Sequence, residues 1–123
     1  MGDRTYLVHI LQSSQAILGY VSGLSKKEFL ADLEKQDAVL RRFEVIGEAT
    51  KHLTNMSRQK GRAVPWKQIA GMRDKLIHEY FAVDLVVVWG AIKHDLPMLV
   101  KTVEKMLENS SVKRLNDWNE LDV

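Results

Sequence analysis

The chain has 123 residues, 46% of them hydrophobic and 28% charged, which is the composition of one globular domain with a modest core. It contains no cysteine, so disulfides and thiolate metal sites are excluded, and no run of about 18 apolar residues that could span a membrane. A net charge of +2 is too small to predict nucleic-acid binding from bulk electrostatics. Because the N-terminus lacks a basic-then-apolar signal pattern, we expect a cytoplasmic protein.

The first predicted helix covers residues 3 to 21. Apolar residues recur there every three or four positions, as on a helix with one buried face. They are Leu7, Ile10, Leu11, Ile17, Leu18 and Val21. Gly23 follows and suits a left-handed cap. His9 lies off the apolar stripe, and we expect it, like His52 and His94, on the solvated surface.

A second helix is predicted from Lys26 to about His52. Ser25 and Glu28 have the spacing of a capping box, which marks its start. Its apolar stripe is broken by Gln36. The stripe consists of Phe29, Leu33, Leu40, Phe43, Ile46, Ala49 and Leu53.

The second half of this helix carries a glycine and two carboxylates. Gly47 weakens a helix interior by roughly 1 kcal/mol relative to alanine, so we expect another helix to pack closely against it. Glu44 and Glu48 share one helix face, as a carboxylate pair for acid–base chemistry would. We favour the simpler interpretation, in which one forms an ion pair and the other is solvated. Either one is a candidate partner for Arg73.

Residues 54 to 64 form a predicted polar and basic connection. Arg58, Lys60 and Arg62 are either solvated loop residues or possible contacts for RNA phosphates beside an active cleft. Trp66 follows, and it is more typical of a core or interface anchor than of a base-stacking platform.

The next helix is predicted from Pro65 to about His78. Arg73 lies in the middle of its apolar arc, where a permanently charged guanidinium needs an anion, a partner or a water-filled cleft. His78 is five positions further, about 140° around the helix. The two side chains can cooperate only if the helix ends or distorts near His78, or if two chains meet in one cleft. Asp74 shares a face with His78 and is predicted to hold its imidazole.

Asp84 is a predicted N-cap for a last helix that runs from Leu85 to about Glu108. Pro97 cannot donate an amide hydrogen bond, so we expect it to kink or interrupt this helix, with Asp95 recapping the second half. The pattern predicts an all-α, up-and-down bundle of four to five helices.

The predicted bundle occupies residues 1–108, and residues 109–123 form a polar C-terminal tail. The sequence has no His-Glu-x-x-His motif, no Gly-rich phosphate loop and no nucleophile elbow. Metal sites and nucleotide cofactors are therefore disfavoured, and we expect no cofactor.

The segment Arg73, four positions, His78, one position and Tyr80 resembles the Arg-x4-His-x-Tyr motif of HEPN ribonucleases. The run of residues 64–81 closely resembles the HepT toxin family within that class. Further likeness lies in Asp84–Trp89 and, more weakly, in Gly47–Ala49. The resemblance covers about residues 3 to 108.

This resemblance implies a metal-independent RNA endonuclease, the toxin of a toxin–antitoxin pair, that leaves 2′,3′-cyclic phosphate ends. The RNA supplies its own nucleophile, the 2′-OH, so the protein needs a base, an acid and charge stabilisation. His78 can move a proton near neutral pH, and Arg73 can bind the phosphate. The residue chemistry agrees with RNA cleavage but would not have selected RNA by itself.

The resemblance also implies partners. HEPN domains form homodimers whose two motifs line one cleft, and HepT toxins are paired with a minimal nucleotidyltransferase antitoxin, MntA. MntA transfers AMP to the motif tyrosine, here Tyr80. Tyr80 shares the predicted helix face of Arg73, so a phosphate placed there would compete for the guanidinium. Without the family, a buried tyrosine with a bonded hydroxyl is the simpler interpretation.

Two alternative functions stay open. In the first, the chain is a catalytically inactive HEPN binding partner of a nucleotidyltransferase, and Arg73 is merely paired. In the second, it is a helical dimer that binds nucleic acid without cutting it. The presence of both Arg73 and His78 favours the enzyme.

Overall fold

The computed structural model describes residues 2–79 and 83–121, with side chains for residues 2–79 and 83–109. Every element assigned in these residues is helical, which confirms the predicted all-α class. The helices are α1 (Asp3–Tyr20), α2 (Lys26–Leu30), α3 (Leu33–Lys51), α4 (Asn55–Lys60), α5 (Trp66–His78), α6 (Leu85–Gly90) and α7 (Leu96–Leu121), with a π-helical segment at Ala91–Asp95. Within the described part of the chain, no helix is both long and apolar enough to cross a bilayer.

Helix α3 is at the centre of the bundle, because it packs against α1 on one side and α5 on another, while α7 packs against α1. One cluster of buried apolar side chains joins these helices. Its fully buried large members are Ile10, Ile17, Phe29, Val39, Ile46, Leu76, Val88, Ile92, Leu96 and Val103. Each contributes about 1.5–3 kcal/mol by leaving water. This core fixes how α3 and α5 face each other.

The turn from α1 into α2 forms as predicted. Gly23 adopts a φ of 80°, the left-handed conformation that glycine enters without strain. The Ser25 hydroxyl accepts a hydrogen bond from the Glu28 amide at 3.1 Å, and the Glu28 carboxylate accepts one from the Ser25 amide at 3.0 Å. The predicted capping box is confirmed.

The prediction of one helix from Lys26 to about His52 was wrong, because α2 ends at Leu30 and α3 begins at Leu33. Asp32 caps α3 by accepting from the Lys35 amide at 3.0 Å. The buried Gln36 amide donates to the carbonyl oxygens of Phe29 at 3.0 Å and Leu30 at 3.1 Å. Gln36 thus occupies the apolar stripe because it satisfies the free carbonyls at the end of α2.

The basic connection between α3 and α5 contains the short helix α4, capped by Thr54. Asp3, at the start of α1, accepts a hydrogen bond from the Thr54 amide at 3.2 Å and bonds from the hydroxyls of Thr54 and Ser57. Burial acts to raise the pKa of Asp3, but these hydrogen bonds outweigh it and hold the pKa below its usual value. Asp3 therefore ties α1 to α4.

Asp84 caps α6 as predicted, with its carboxylate accepting from the Val86 amide at 2.9 Å. The expectation that Asp95 recaps the chain was wrong, because Asp95 lies inside the π-helical segment. In a regular α-helix the ring of Pro97 would clash with the carbonyl group of Lys93, four residues earlier. Lys93 lies in the π-helical segment, where the turn is wider. Helical winding therefore changes before Pro97 without a break, and α7 continues past residue 108 to Leu121. The division at residue 108 stays a prediction.

Candidate active site

The helix that carries the motif is anchored at its first residue. The indole ring of Trp66 is buried, and its N–H donates to the carbonyl oxygens of Arg58 at 3.1 Å and Gly61 at 3.0 Å. This placement confirms Trp66 as a core anchor rather than a base-stacking platform. Because α4 and the start of α5 are joined in this way, the position of α5 is fixed before the motif begins.

Arg73 is three-quarters buried between α5 and α3, with 25% of its side chain exposed. Its Nη2 lies 2.9 Å from Oε2 of Glu48, and its Nη1 lies 3.2 Å from Oδ1 of Asp74. Of the two carboxylates that the sequence offered as partners, Glu48 is therefore the one used, while Glu44 pairs with Arg41 at 3.1 Å. Two anions balance a charge that cannot be lost.

Gly47 allows this close approach of α5 to α3. A methyl group placed on Gly47 would lie 2.1 Å from Cβ of Arg73 and 2.9 Å from its Cγ. The predicted close packing at this glycine is confirmed, and the group that packs there is the stem of the motif arginine. Sequence periodicity could not have identified that contact, because it joins two helices.

Asp74 is turned away from the role predicted for it. Its Oδ1 accepts from Nζ of Lys51 and from Arg73, and no bond to His78 is found in the described residues. The hydrogen bond from Lys51, followed by that from Arg73, holds the pKa of Asp74 below its usual value despite the opposing effect of desolvation. Asp74 thus supports the arginine rather than the histidine.

His78 is the last residue of α5 and is exposed. The predicted end of the helix at this residue is confirmed. Within one chain, however, His78 is not among the residues that line the cavity containing Arg73. Tyr80 lies outside the described residues, and its predicted modification stays a prediction.

Arg73 lies in the wall of a cavity of about 390 Å³ between α1, α3 and α5. The lining residues are Tyr6, His9, Arg41, Glu44, Val45, Glu48, Ala49, His52, Arg73 and Ile77. Sequence reasoning missed that Tyr6, His9 and His52 accompany Arg73 here. The spacing of Glu48 and His52, one helical turn apart, was the one local signal of this arrangement. Tyr6 is on a different helix, so no short-range pattern could place it.

The three basic residues predicted as possible RNA contacts lie elsewhere. Arg58 is half-buried and donates from Nη2 to the carbonyl oxygen of Thr50 at 2.8 Å. Lys60 and Arg62 are exposed and line a separate cavity of about 790 Å³ with Lys101 and other residues of α1 and α7. No described group of three or more His, Asp or Glu side chains has the arrangement of a metal site.

Comparison with known proteins gives the class. The model of the family described as "Ribonuclease HepT-like" matches residues 10–106. The chain therefore belongs to the HepT-like ribonuclease family, as its motif residues predicted. No solved structure gives a significant match.

Three curated relatives illustrate the likeness. "Putative RNase TTE0752" of Caldanaerobacter subterraneus subsp. tengcongensis is 46% identical over 105 residues, which are 85% of this chain and 94% of the relative. "Gamma-glutamylcyclotransferase and putative RNase MJ0434" of Methanocaldococcus jannaschii is 40% identical over 94% of this chain but only 52% of its own length. "Probable ribonuclease HepT" of Thermococcus cleftensis is 39% identical over 84% of this chain and 94% of its own.

Proposed function

We propose that this protein is a metal-independent RNA endonuclease and the toxin of a toxin–antitoxin pair. Its family and its curated relatives support ribonuclease activity. The observation that carries the proposal is the place of Arg73 in the wall of a cavity, on the helix that ends at His78.

In the proposed reaction, the 2′-OH of the RNA attacks the adjacent phosphorus as His78 takes part in proton transfer. The bond between phosphorus and the 5′-oxygen breaks, leaving a 2′,3′-cyclic phosphate and a 5′-hydroxyl. Arg73 stabilises the charge that builds on the phosphoryl oxygens. A guanidinium has five N–H donors, and its contacts to Glu48 and Asp74 use two of them, so the described part of the chain leaves donors for a phosphate.

A homodimer would bring His78 into reach of Arg73. Because the two side chains are on different sides of α5, a second copy of the motif across a twofold axis is the arrangement that completes a cleft. Exposed apolar residues on and beside the motif helix support such an interface, with Ile77 44%, Val86 48% and Val87 65% exposed.

The proposed regulator is an MntA-like nucleotidyltransferase antitoxin that transfers AMP to Tyr80. The added phosphate would be near the motif and compete with RNA for Arg73. An intact mass that is higher by one or more AMP units after incubation with the antitoxin and ATP would support this step.

The second candidate function is an inactive binding partner, and the pairing of Arg73 with Glu48 and Asp74 inside one chain favours it. Cleavage of labelled RNA in EDTA by the wild type, His78→Ala and His94→Ala separates the two. His94 is an exposed histidine on the π-helical segment and serves as the matched control. If the protein is the proposed enzyme, the wild type and His94→Ala cleave the RNA and His78→Ala does not. Equal cleavage by His78→Ala, or none by unmodified wild type, would contradict it.

A further inference from the structure

The cavity beside Arg73 contains a second imidazole that the motif does not include. His52, at the end of α3, lines this cavity together with Arg73, whereas the motif histidine His78 does not. Cleavage through the 2′-OH needs two proton transfers, one from the nucleophile and one to the leaving oxygen. Each copy of the motif supplies one histidine, and His52 is a further imidazole in the cavity that contains Arg73.

Glu48 connects this imidazole to the motif arginine. Its Oε1 lies 3.2 Å from Nε2 of His52, and its Oε2 lies 2.9 Å from Nη2 of Arg73. One carboxylate therefore orients both side chains, each through its own oxygen. A third group that holds a histidine in place is the usual arrangement around proton-transferring imidazoles.

His52 is held from a second direction by Tyr6 of α1. The two rings are stacked, with centroids 4.9 Å apart and planes at 10°. With Nε2 on Glu48 and one ring face on Tyr6, Nδ1 is the ring nitrogen for which the described residues show no hydrogen bond. Half of the side chain, 51%, is exposed, so the imidazole is accessible from the cavity that it lines.

The charged and titratable groups around His52 come from three helices. Tyr6 and His9 face it from α1, and His9 meets the Tyr6 ring edge-on at 6.4 Å. On α3, the Glu44 carboxylate is already paired with Arg41, which leaves Glu48 as the carboxylate that contacts His52. On α5, Arg73 lies on the far side of Glu48 and is also paired with Asp74, which accepts from Lys51.

We infer that His52 is the general acid of the RNA cleavage reaction, oriented by Glu48 and Tyr6. This inference rests on the proposed function. When the scissile phosphate binds Arg73, it neutralises the guanidinium and leaves Glu48 to balance a protonated His52. Nδ1 of His52 then gives its proton to the 5′-oxygen as the bond between phosphorus and that oxygen breaks. His78 accepts the proton of the 2′-OH as the new phosphorus–oxygen bond forms.

The test compares His52→Gln with the wild type on two RNAs that differ at one atom. Glutamine keeps a hydrogen bond to Glu48 but cannot donate a proton as an acid. The first RNA is unmodified, and the second has sulfur in place of the 5′-oxygen at the cut site, a leaving group that needs no proton. Rates of both are measured in EDTA from about pH 5 to pH 9, with His94→Gln as the matched histidine control.

On unmodified RNA, His52→Gln is expected to lose about 100-fold or more in kcat/KM and to lose the fall in rate on the alkaline side. On the sulfur-containing RNA it is expected to cut nearly as fast as the wild type, whereas His78→Ala stays inactive on both. A merely structural role for His52 would slow both RNAs equally and leave the pH profile unchanged, and that result would overturn the inference. If the wild type cuts neither RNA, the proposed function fails, and the inference fails with it. If the wild type cuts and His52→Gln matches it, only the inference fails.

Discussion

Arg73 is the residue on which the site depends, because its permanent charge is three-quarters buried and needs anions at fixed positions. The sequence indicated that need from the place of Arg73 in an apolar arc. It could not choose between Glu44 and Glu48, which share a helix face, because the choice depends on the angle between α3 and α5. Glu48 is the partner, and Glu44 pairs one turn earlier with Arg41.

Glu48→Gln is expected to lower RNA cleavage by about 10- to 100-fold. A hydrogen bond to a charged group contributes about 1.5–3 kcal/mol, and about 1.4 kcal/mol corresponds to a factor of ten in rate. Glu44→Gln is the matched control on the same face, and it should keep the wild-type rate. Single-turnover rates at saturating RNA measure the effect. Equal rates for the two variants would show that Glu48 does not position Arg73.

At the scale of the helices, apolar periodicity predicted α1 and α5, and Asp84 as an N-cap predicted the start of α6. The break between α2 and α3 was missed because a buried Gln36 bonds carbonyl groups six and seven residues earlier, a contact that no helical pattern signals. The π-helical segment was missed for a related reason. Pro97 predicted an irregular helix, but a proline does not specify whether the helix kinks, ends or has a wider turn.

Gly47→Ala is expected to lower the free energy of unfolding by about 1–3 kcal/mol, because the new methyl group would overlap the stem of Arg73. Cleavage should fall as well, since the guanidinium moves with its stem. Gly19→Ala in α1 is the matched control, because its methyl group meets no atom within 4 Å, and it should be neutral or stabilising by up to about 1 kcal/mol. Urea denaturation of both variants measures the difference. A Gly47→Ala protein as stable and active as Gly19→Ala would contradict the close packing.

The tie between α1 and α4 predicts a pH dependence. Because the pKa of folded Asp3 is below its ordinary value of 3.8, its contribution to stability is present above that pH and is lost as the pH falls below it. Asp3→Asn should therefore be less stable than the wild type by about 1–3 kcal/mol at pH 7. The difference should shrink at about pH 3. Urea denaturation at both pH values measures it, and an equal difference at both would show that the carboxylate charge is not responsible.

At the scale of the whole molecule, His78 does not line the cavity that contains Arg73 in one chain, and the proposed dimer would supply a second copy of the motif. The angle of about 140° between the two residues on a helix left two routes open, a helix that ends or distorts near His78 and a cleft between two chains. The exposed valines of α6 could not be recognised from the pattern, because a run of valines is equally typical of a buried helix face.

Val87→Asp is expected to convert a dimer into single chains of 14.1 kDa, because a carboxylate in an apolar interface is left without a partner. RNA cleavage should fall with the loss of the dimer. Leu33→Asp is the matched control, since Leu33 is 69% exposed at the start of α3 and Val87 is 65% exposed. Light scattering after gel filtration measures the mass. A wild type that elutes as a monomer, or a Val87→Asp dimer, would contradict the proposed assembly.

A single 2′-deoxy substitution in the RNA tests most directly whether the substrate supplies its own nucleophile. The purified protein is incubated in EDTA with two RNAs that differ only in the 2′ group at a mapped cut site. We predict that the all-ribose RNA is cut there to leave a 2′,3′-cyclic phosphate, and that the 2′-deoxy RNA is left intact at that position. Cutting of the 2′-deoxy position would mean that water is the nucleophile, and would contradict the proposed reaction.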